Sequence, residues 1–227
     1  MTDEELERRL KRMSLEIETA NSRKRAFGEN YALYSAVFAN DCGASPKLAE
    51  ARRYAESWPE MQNTGTGLLF WGAPGSGKTF AAACIANELC GRNYEVRMTT
   101  LGTFLTRLPA MTAAEKEAYL RDLVGCSLLI IDDFGMERHT EYAQEQVFAL
   151  IDGRYLSGRP MLVTTNLSLD ELKSPGTLAH TRICDRVLEM CVPVFFGGES
   201  LRRTVRAKRL EEYVRLTRGQ DGKAPSA

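Results

Sequence analysis

Residues 72–79, GAPGSGKT, set three glycines around a loop that ends in a Lys–Thr pair. The spacing is G-x-x-x-x-G-K-[ST], and its chemistry is the grip on a polyphosphate. Gly72, Gly75 and Gly77 let the backbone turn tightly and bring its amides against phosphate oxygens with no Cβ between them. Ala73, Pro74 and Ser76 complete the loop, and Phe80 belongs to the first turn of the helix that follows. That helix's N-terminus adds partial positive charge. Lys78 neutralises β- and γ-phosphate charge, and the Thr79 hydroxyl is suited to Mg2+. The expected ligands are therefore ATP and Mg2+.

A metal-bound triphosphate also needs a carboxylate at the tip of a neighbouring strand, and LLIIDDFG (128–135) supplies two. Asp132 is expected to hold Mg2+ through its water shell. Asp133 is expected to orient the attacking water and help deprotonate it. Asp is one methylene shorter than Glu, so that water must sit closer, which leaves the hydrolysis rate open. PMLVTTN (160–166) ends in Asn166, whose amide is suited either to a γ-phosphate or to a turn. In TLAHTRICDRVLEM (177–190), Arg182 and Arg186 share a helix face, while Ile183, Val187 and Met190 form an apolar one. The two arginines either pair with acids such as Asp185 or reach a neighbouring subunit's γ-phosphate, where a charged fork stabilises developing charge. SLRRTVRAKRLEEYVRLTR (200–218) offers Arg202 and Arg203 to nucleotide phosphate.

These groups need a frame. Five β-rich runs alternate with helical stretches: 67–72, 94–100, 127–133, 160–166 and 191–196. The third is apolar on both parities, as a strand covered on both faces must be. Helices between such strands imply βαβ crossovers and a parallel sheet. Thr112–Glu115 and Ser168–Glu171 match the S/T-x-x-E capping box. Upstream, residues 1–26 carry a thin helical stripe of Leu6, Leu10, Met13 and Ile17 with i,i+4 ion pairs. It is expected to rest one face on the body or to serve as a partner-binding arm. Phe27, Tyr31, Tyr34 and Phe38 are expected to pack on the main domain. PKLAEARRYAESW reads as a helix that ends before Pro59, with MQNTGTG as a turn-rich lead-in. The domain reading is a helical extension over 1–45, a nucleotide-binding domain over 46–218, and a tail of disordered composition over 219–227.

Thirty Lys and Arg balance 30 Asp and Glu in a chain of 227 residues, which argues against histone-like coating of nucleic acid but not against a local basic patch. The six cysteines contain no C-x-x-C pair and there are two histidines, so no zinc site is expected. Free thiols in apolar stretches suit a reducing compartment. The charged N-terminus is no signal peptide. No apolar run approaches the ~20 residues that span a bilayer. A cytoplasmic protein with no membrane partner is expected.

Taken in this order, the parts resemble the AAA+ ATPases. More closely, the chain is similar to the bacterial DnaC/DnaI helicase loaders and their phage-encoded and IstB-type relatives. The resemblance covers roughly residues 46–206, and GAPGSGKT, LLIIDDFG, VTTN and TRICDRVLE followed by SLRRTVR carry it. It implies an α/β P-loop NTPase fold: a five-stranded parallel sheet flanked by helices, an abbreviated C-terminal lid and a helical N-terminal extension. Lys78 and Thr79 would then be Walker A, Asp132 and Asp133 Walker B, and Asn166 sensor 1. Arg186 looks like a finger acting in trans, with Arg182 one turn before it, and Arg202 looks like sensor 2. Asp133 departs from the Glu of most AAA+ enzymes but fits the loader subgroup. An extra helical element over 101–123 would contact single-stranded DNA through Phe104, Arg107, Lys116 and Arg121, unless it is an ordinary crossover.

The function this implies is ATP-driven loading of a replicative helicase onto single-stranded DNA. ATP would be held between self-associated subunits in a ring or spiral, and hydrolysis would be stimulated by DNA or by the partner. An IstB-like transposition helper uses the same engine. A nucleotide-gated binding module with little hydrolysis is the alternative that Asp133 leaves open.

Overall fold

The computed structural model describes residues 3–40, 47–135, 140–174, 177–197 and 210–217. Helix α1 (Asp3–Phe27) leads through two short 3-10 turns (Tyr31–Ser35 and Phe38–Asn40) to α2 (Lys47–Glu56) and α3 (Trp58–Thr64). Then come β1 (Gly67–Trp71), α4 (Lys78–Gly91), β2 (Val96–Thr100), α5 (Leu101–Arg107) and α6 (Ala113–Gly125). β3 (Leu128–Phe134), α7 (Glu141–Leu156), β4 (Met161–Thr165), α8 (Leu169–Lys173), α9 (Leu178–Met190) and β5 (Cys191–Phe195) complete the sequence. The five strands form one parallel sheet in the order β2-β3-β4-β1-β5. The loop strand β1 and the acidic strand β3 therefore flank the polar-ended β4. All three bring their carboxyl ends to one edge, where ligands of open α/β sheets bind.

The double apolar parity of β3 has a direct cause. Leu128 and Ile130 pack with α2 and α4 on one face, and Leu129 and Ile131 pack with α5 to α9 on the other. Small side chains let α4 lie close on the sheet, with Ala81, Ala82, Ala83, Cys84 and Ala86 fully buried. Both capping boxes form, at Thr112–Glu115 on α6 and Ser168–Glu171 on α8. Such caps contribute about 1 kcal/mol each.

Arg154, on α7, is wholly buried. Its guanidinium donates to the carbonyls of Val124 (2.8 Å), Cys126 (2.7 Å), Ser127 (2.9 Å) and Pro160. It ties together the chain segments that enter β3 and β4, at the sheet edge opposite the ligand side. Burial draws its pKa down to about 10, so it stays charged at neutral pH.

α2 ends at Glu56, before Pro59 as expected, and Pro59 then sits in the first turn of α3, where its missing N–H costs nothing. Two expectations change. Met61–Thr64, read as turn, are helical, and Gly65 closes the helix in the left-handed region at φ 67°. The stripe of Leu6, Leu10, Met13 and Ile17 rests on nothing among the described residues and is exposed along its length.

Part of the segment before residue 45 packs into the body. Ala26, Phe27, Ala36 and Phe38 belong to the same core as α4 and β1. The buried Asn87 side chain of α4 donates to the carbonyls of Leu33 and Ala36 at 2.8 Å each. Only the part of α1 before about residue 19 is exposed throughout, and Ser22 and Arg23 are already half-buried. The expected short lid is described over 210–217 alone, a helical stretch that is exposed throughout.

Candidate active site

The loop between β1 and α4 adopts the conformation its glycines permit. Gly72, Gly75 and Gly77 have φ of 137°, 83° and 97°. A Cβ on Gly72 would lie 2.3 Å from the Phe196 carbonyl oxygen, so no larger residue fits between β1 and the end of β5. Gly77 caps α4, and Lys78 opens it, 5% exposed. The Lys78 ammonium donates to the carbonyls of Gly72 (2.8 Å) and Ala73 (2.9 Å). It also donates to Asn166 Oδ1 at 2.8 Å, across from the end of β4. The loop lysine and the polar strand end thus form one unit. With Oδ1 engaged by Lys78, the Asn166 amide nitrogen is the donor that remains for a phosphate oxygen or a water.

Asp132, 8% exposed, accepts from Thr79 Oγ1 at 2.9 Å and from Thr164 Oγ1 at 2.6 Å. Burial raises its carboxyl pKa above the usual aspartate range; the two threonine hydrogen bonds oppose this and the neighbouring Asp133 charge adds to it. A hydroxyl and a carboxylate at this separation suit a hard cation that keeps waters and takes its other ligands from phosphate. Among the described residues no group of three or more His, Cys, Asp and Glu side chains could hold a metal. Thr79 and Asp132 are the residues whose chemistry suits Mg2+ that takes its other ligands from a nucleotide and water.

Asp133 owes its placement to a β-bulge. Ile131 pairs with Val163 and Phe134 with Thr165, so Asp132 and Asp133 together oppose Thr164 alone. Asp132 continues the α4-facing row of Leu128 and Ile130, and Phe134 returns to the α7–α9 side with Ile131. The extra residue is Asp133, at φ 55° and exposed, its amide donating to Thr164 Oγ1 at 3.0 Å. Thr164 thus binds both acidic residues, Asp132 through its carboxylate and Asp133 through its amide. Sequence reading missed it, although a hydroxyl in the apolar run MLV-TT was a visible signal.

The structure does not bring the arginines to this chain's own loop. Arg186 on α9 pairs with Asp152 of α7 (2.5 Å) and lies over the rings of Phe148 and Tyr155, while Arg182 is exposed. Arg202 and Arg203 lie outside the described residues. The 101–123 element is present as α5 and α6, but Phe104 must be corrected. It is 1% exposed and packs against Tyr119 with ring centres 6.0 Å apart, so it has no free face for a base. Arg107 is exposed and lines a cavity of about 330 Å³ with Arg25, Arg97 and Asp132. Lys116 is half-buried, and Arg121 is exposed and paired with Glu117 at 2.5 Å.

Comparison with known proteins adds context. A family model for IstB-like ATP binding proteins matches residues 2–209. The replicative helicase loader DnaC of Escherichia coli (strain K12) is 30% identical over 170 residues, 73% of this chain and 67% of that one. The replicative helicase loader DnaI of Bacillus subtilis (strain 168) is 29% identical over 149 residues, 61% of this chain and 48% of that one. An ATP-binding protein in an insertion sequence of Mycobacterium tuberculosis is 25% identical over 165 residues, covering 71% and 66%. The fold is shared with solved structures. The DnaI crystal structure gives a TM-score of 0.64 at 21% identity, covering 78% of this chain and 95% of that one. The replication initiator DnaA bound to AMPPCP and single-stranded DNA gives 0.58 at 18%, covering 78% and 55%.

Proposed function

This chain belongs to the family of IstB-like ATP-binding proteins, with the AAA+ P-loop fold, and we propose that it loads a replicative DNA helicase onto single-stranded DNA. The observation that carries the ATPase part is the convergence of Lys78, Asn166, Thr79 and Asp132 at one end of the sheet. The loader part draws on similarity to DnaC and DnaI, whose names state that role.

Mg2+, if held by Thr79 and Asp132, would supply neutralisation of phosphate charge. The chain's own residues do the rest. The amides of Gly75, Ser76, Gly77 and Lys78 cradle the phosphates, and Lys78 exchanges the loop carbonyls for phosphate oxygens. Asp132 and Thr79 are the residues that would hold the ion. Asp133, turned out by the bulge, orients a water and accepts its proton, while Asn166 donates to the γ-phosphate or that water. Arg186 lies away from its own loop, so its reading as a finger requires a second subunit whose site it completes. Arg202 is read as the cis contact to phosphate.

Self-association in a ring or spiral follows from that shared site. Arg107, Lys116 and Arg121 on α5 and α6 are the cations offered to a single-stranded DNA backbone. The unpartnered stripe of α1 is the surface offered to the helicase. No described helix is long and apolar enough to cross a membrane, and five cysteines are buried free thiols, in keeping with a cytoplasmic setting.

The test is ATP turnover per subunit against protein concentration, with and without single-stranded DNA. A rate that climbs with both, and that Arg186→Ala abolishes while ATP binding is kept, supports the reading. Wild-type turnover in Arg186→Ala sinks the finger assignment. The second reading, a transposition helper, is favoured by the matching family model and by the insertion-sequence relative. Capture of a transposase but no helicase in matched pull-downs would select it. A nucleotide-gated module is the third reading, and unchanged turnover and DNA release in Asp133→Asn would select that.

A further inference from the structure

α7 presents Phe148, Asp152 and Tyr155 at i, i+4 and i+7, which is one helix face. Arg186 of α9 lies on that face. Its Nη2 is 2.5 Å from Asp152 Oδ1, and its guanidinium carbon is 4.7 Å and 5.3 Å from the ring centres of Phe148 and Tyr155. The Tyr155 hydroxyl donates to Glu189 Oε1 at 2.8 Å, which fixes the second ring from α9 itself. Arg186 Nη1 and Asp152 Oδ1 are both buried with no hydrogen-bond partner among the described residues, so the close pair is a charge contact and not an aligned hydrogen bond. An arginine grips phosphate with the fork of its terminal nitrogens. Here one of them faces a carboxylate and the other is buried, so the fork is not presented to a neighbouring molecule.

We propose that Asp152 is a positioning residue for Arg186: with Phe148 and Tyr155 it stores the guanidinium against α7. A γ-phosphate on an adjacent subunit must draw it off before hydrolysis. This rests on the reading of Arg186 as a finger in trans. The exchange replaces a single contact with a carboxylate oxygen by the oxygens of a phosphate, so a docked neighbour offsets the lost pair, whereas a lone subunit offers nothing in return. The stored state adds to the concentration threshold for turnover without touching the chain's own phosphate loop. A partly exposed ion pair of this kind sets a preference of about two- to fivefold.

The experiment uses the full chain with single-stranded DNA and ATP, and reads turnover per subunit against protein concentration. Asp152→Asn keeps the shape of the side chain and removes its charge. We expect its half-maximal concentration to fall about two- to fivefold, with ATP affinity and Tm near wild type. The double variant Asp152→Asn/Arg186→Ala should be as inactive as Arg186→Ala, because the effect runs through the arginine. Phe148→Leu loosens the storage from the other side, keeps the carboxylate and should shift the curve the same way. A curve that does not move in either variant, or turnover that drops across the whole range in a fully folded Asp152→Asn, overturns the proposal. If Arg186→Ala alone keeps wild-type turnover, the finger reading falls and this goes with it. If Arg186→Ala abolishes turnover while Asp152→Asn leaves the curve in place, only the storage role falls.

Discussion

Lys78 and Asn166, 88 residues apart, meet at 2.8 Å where the phosphate loop faces the end of β4. The strand order makes this contact, because β4 lies beside β1 although two strands separate them in the chain. It joins the lysine proposed to neutralise phosphate charge to the amide proposed to donate to the reacting centre.

The two should fail differently. Lys78→Ala is expected to abolish ATP binding, since the charge opposing the phosphates is gone. Asn166→Ala removes one donor and leaves the loop intact, so binding should hold within a few-fold while turnover falls about 100- to 1,000-fold. Equilibrium binding of a fluorescent ATP analogue beside steady-state turnover separates them. An equal loss of binding in both variants would show Asn166 acting only as a prop for Lys78.

Asp132 makes a claim about pH. Its pKa is raised in the fold, chiefly by burial, from an ordinary value of 3.8. For a group raised on folding, the folded state binds the proton more readily, so stability is greatest below 3.8 and is lost as pH rises through the higher folded value. At neutral pH the buried carboxylate therefore costs stability. Asp132→Asn keeps an acceptor for Thr79 and Thr164 without the charge. Nucleotide-free thermal melts should show Asn above Asp in Tm at pH 7–8, with the gap closing towards pH 4. A gap independent of pH would contradict the burial argument. Mg2+-dependent turnover should be lost in the same variant.

Arg154 offers a test of the frame alone. It donates to four carbonyls at the entry to β3 and β4, one of which, Cys126, also accepts from Arg159 at 3.4 Å. Arg154→Met fills the volume and leaves those acceptors buried, at a cost of about 2–4 kcal/mol. The denaturant midpoint should fall accordingly. A shift below ~1 kcal/mol would mean that water replaces the guanidinium.

Much of this was legible in the sequence, for physical reasons. GAPGSGKT needs its glycines wherever it occurs, and the double parity of LLIIDD requires two covering layers. What stayed hidden was made by tertiary contact or by a one-residue irregularity. Strict alternation would place Asp132 and Asp133 on opposite faces, and nothing in the letters announces the extra residue that turns Asp133 out. Arg154 looks like any helix arginine until the loops before β3 and β4 close over it. Asp152 reads as a solvated acid because its partner lies on another helix. Phe104 was misread because an aromatic among cations suits a nucleic-acid groove as well as it suits a helix face turned to the sheet.

Phe104 and Arg107 now separate a core role from a contact role on the same helix. Phe104 is packed among Leu101, Leu108 and Leu123, so Phe104→Ala should cost about 3–5 kcal/mol of stability. Phe104→Leu, which keeps most of the volume, should bind single-stranded DNA as wild type does. Arg107 is exposed at the rim of its cavity, and its loss should leave Tm unchanged. If it meets a backbone phosphate, Arg107→Ala weakens DNA binding at every sequence tested. It should also flatten the plot of log affinity against log salt by about one unit. Fluorescence anisotropy of a labelled oligonucleotide over a range of salt reads both quantities. An unchanged slope in Arg107→Ala would remove α5 from the DNA surface, and selective loss of DNA affinity in a stable Phe104→Leu would restore the ring to it.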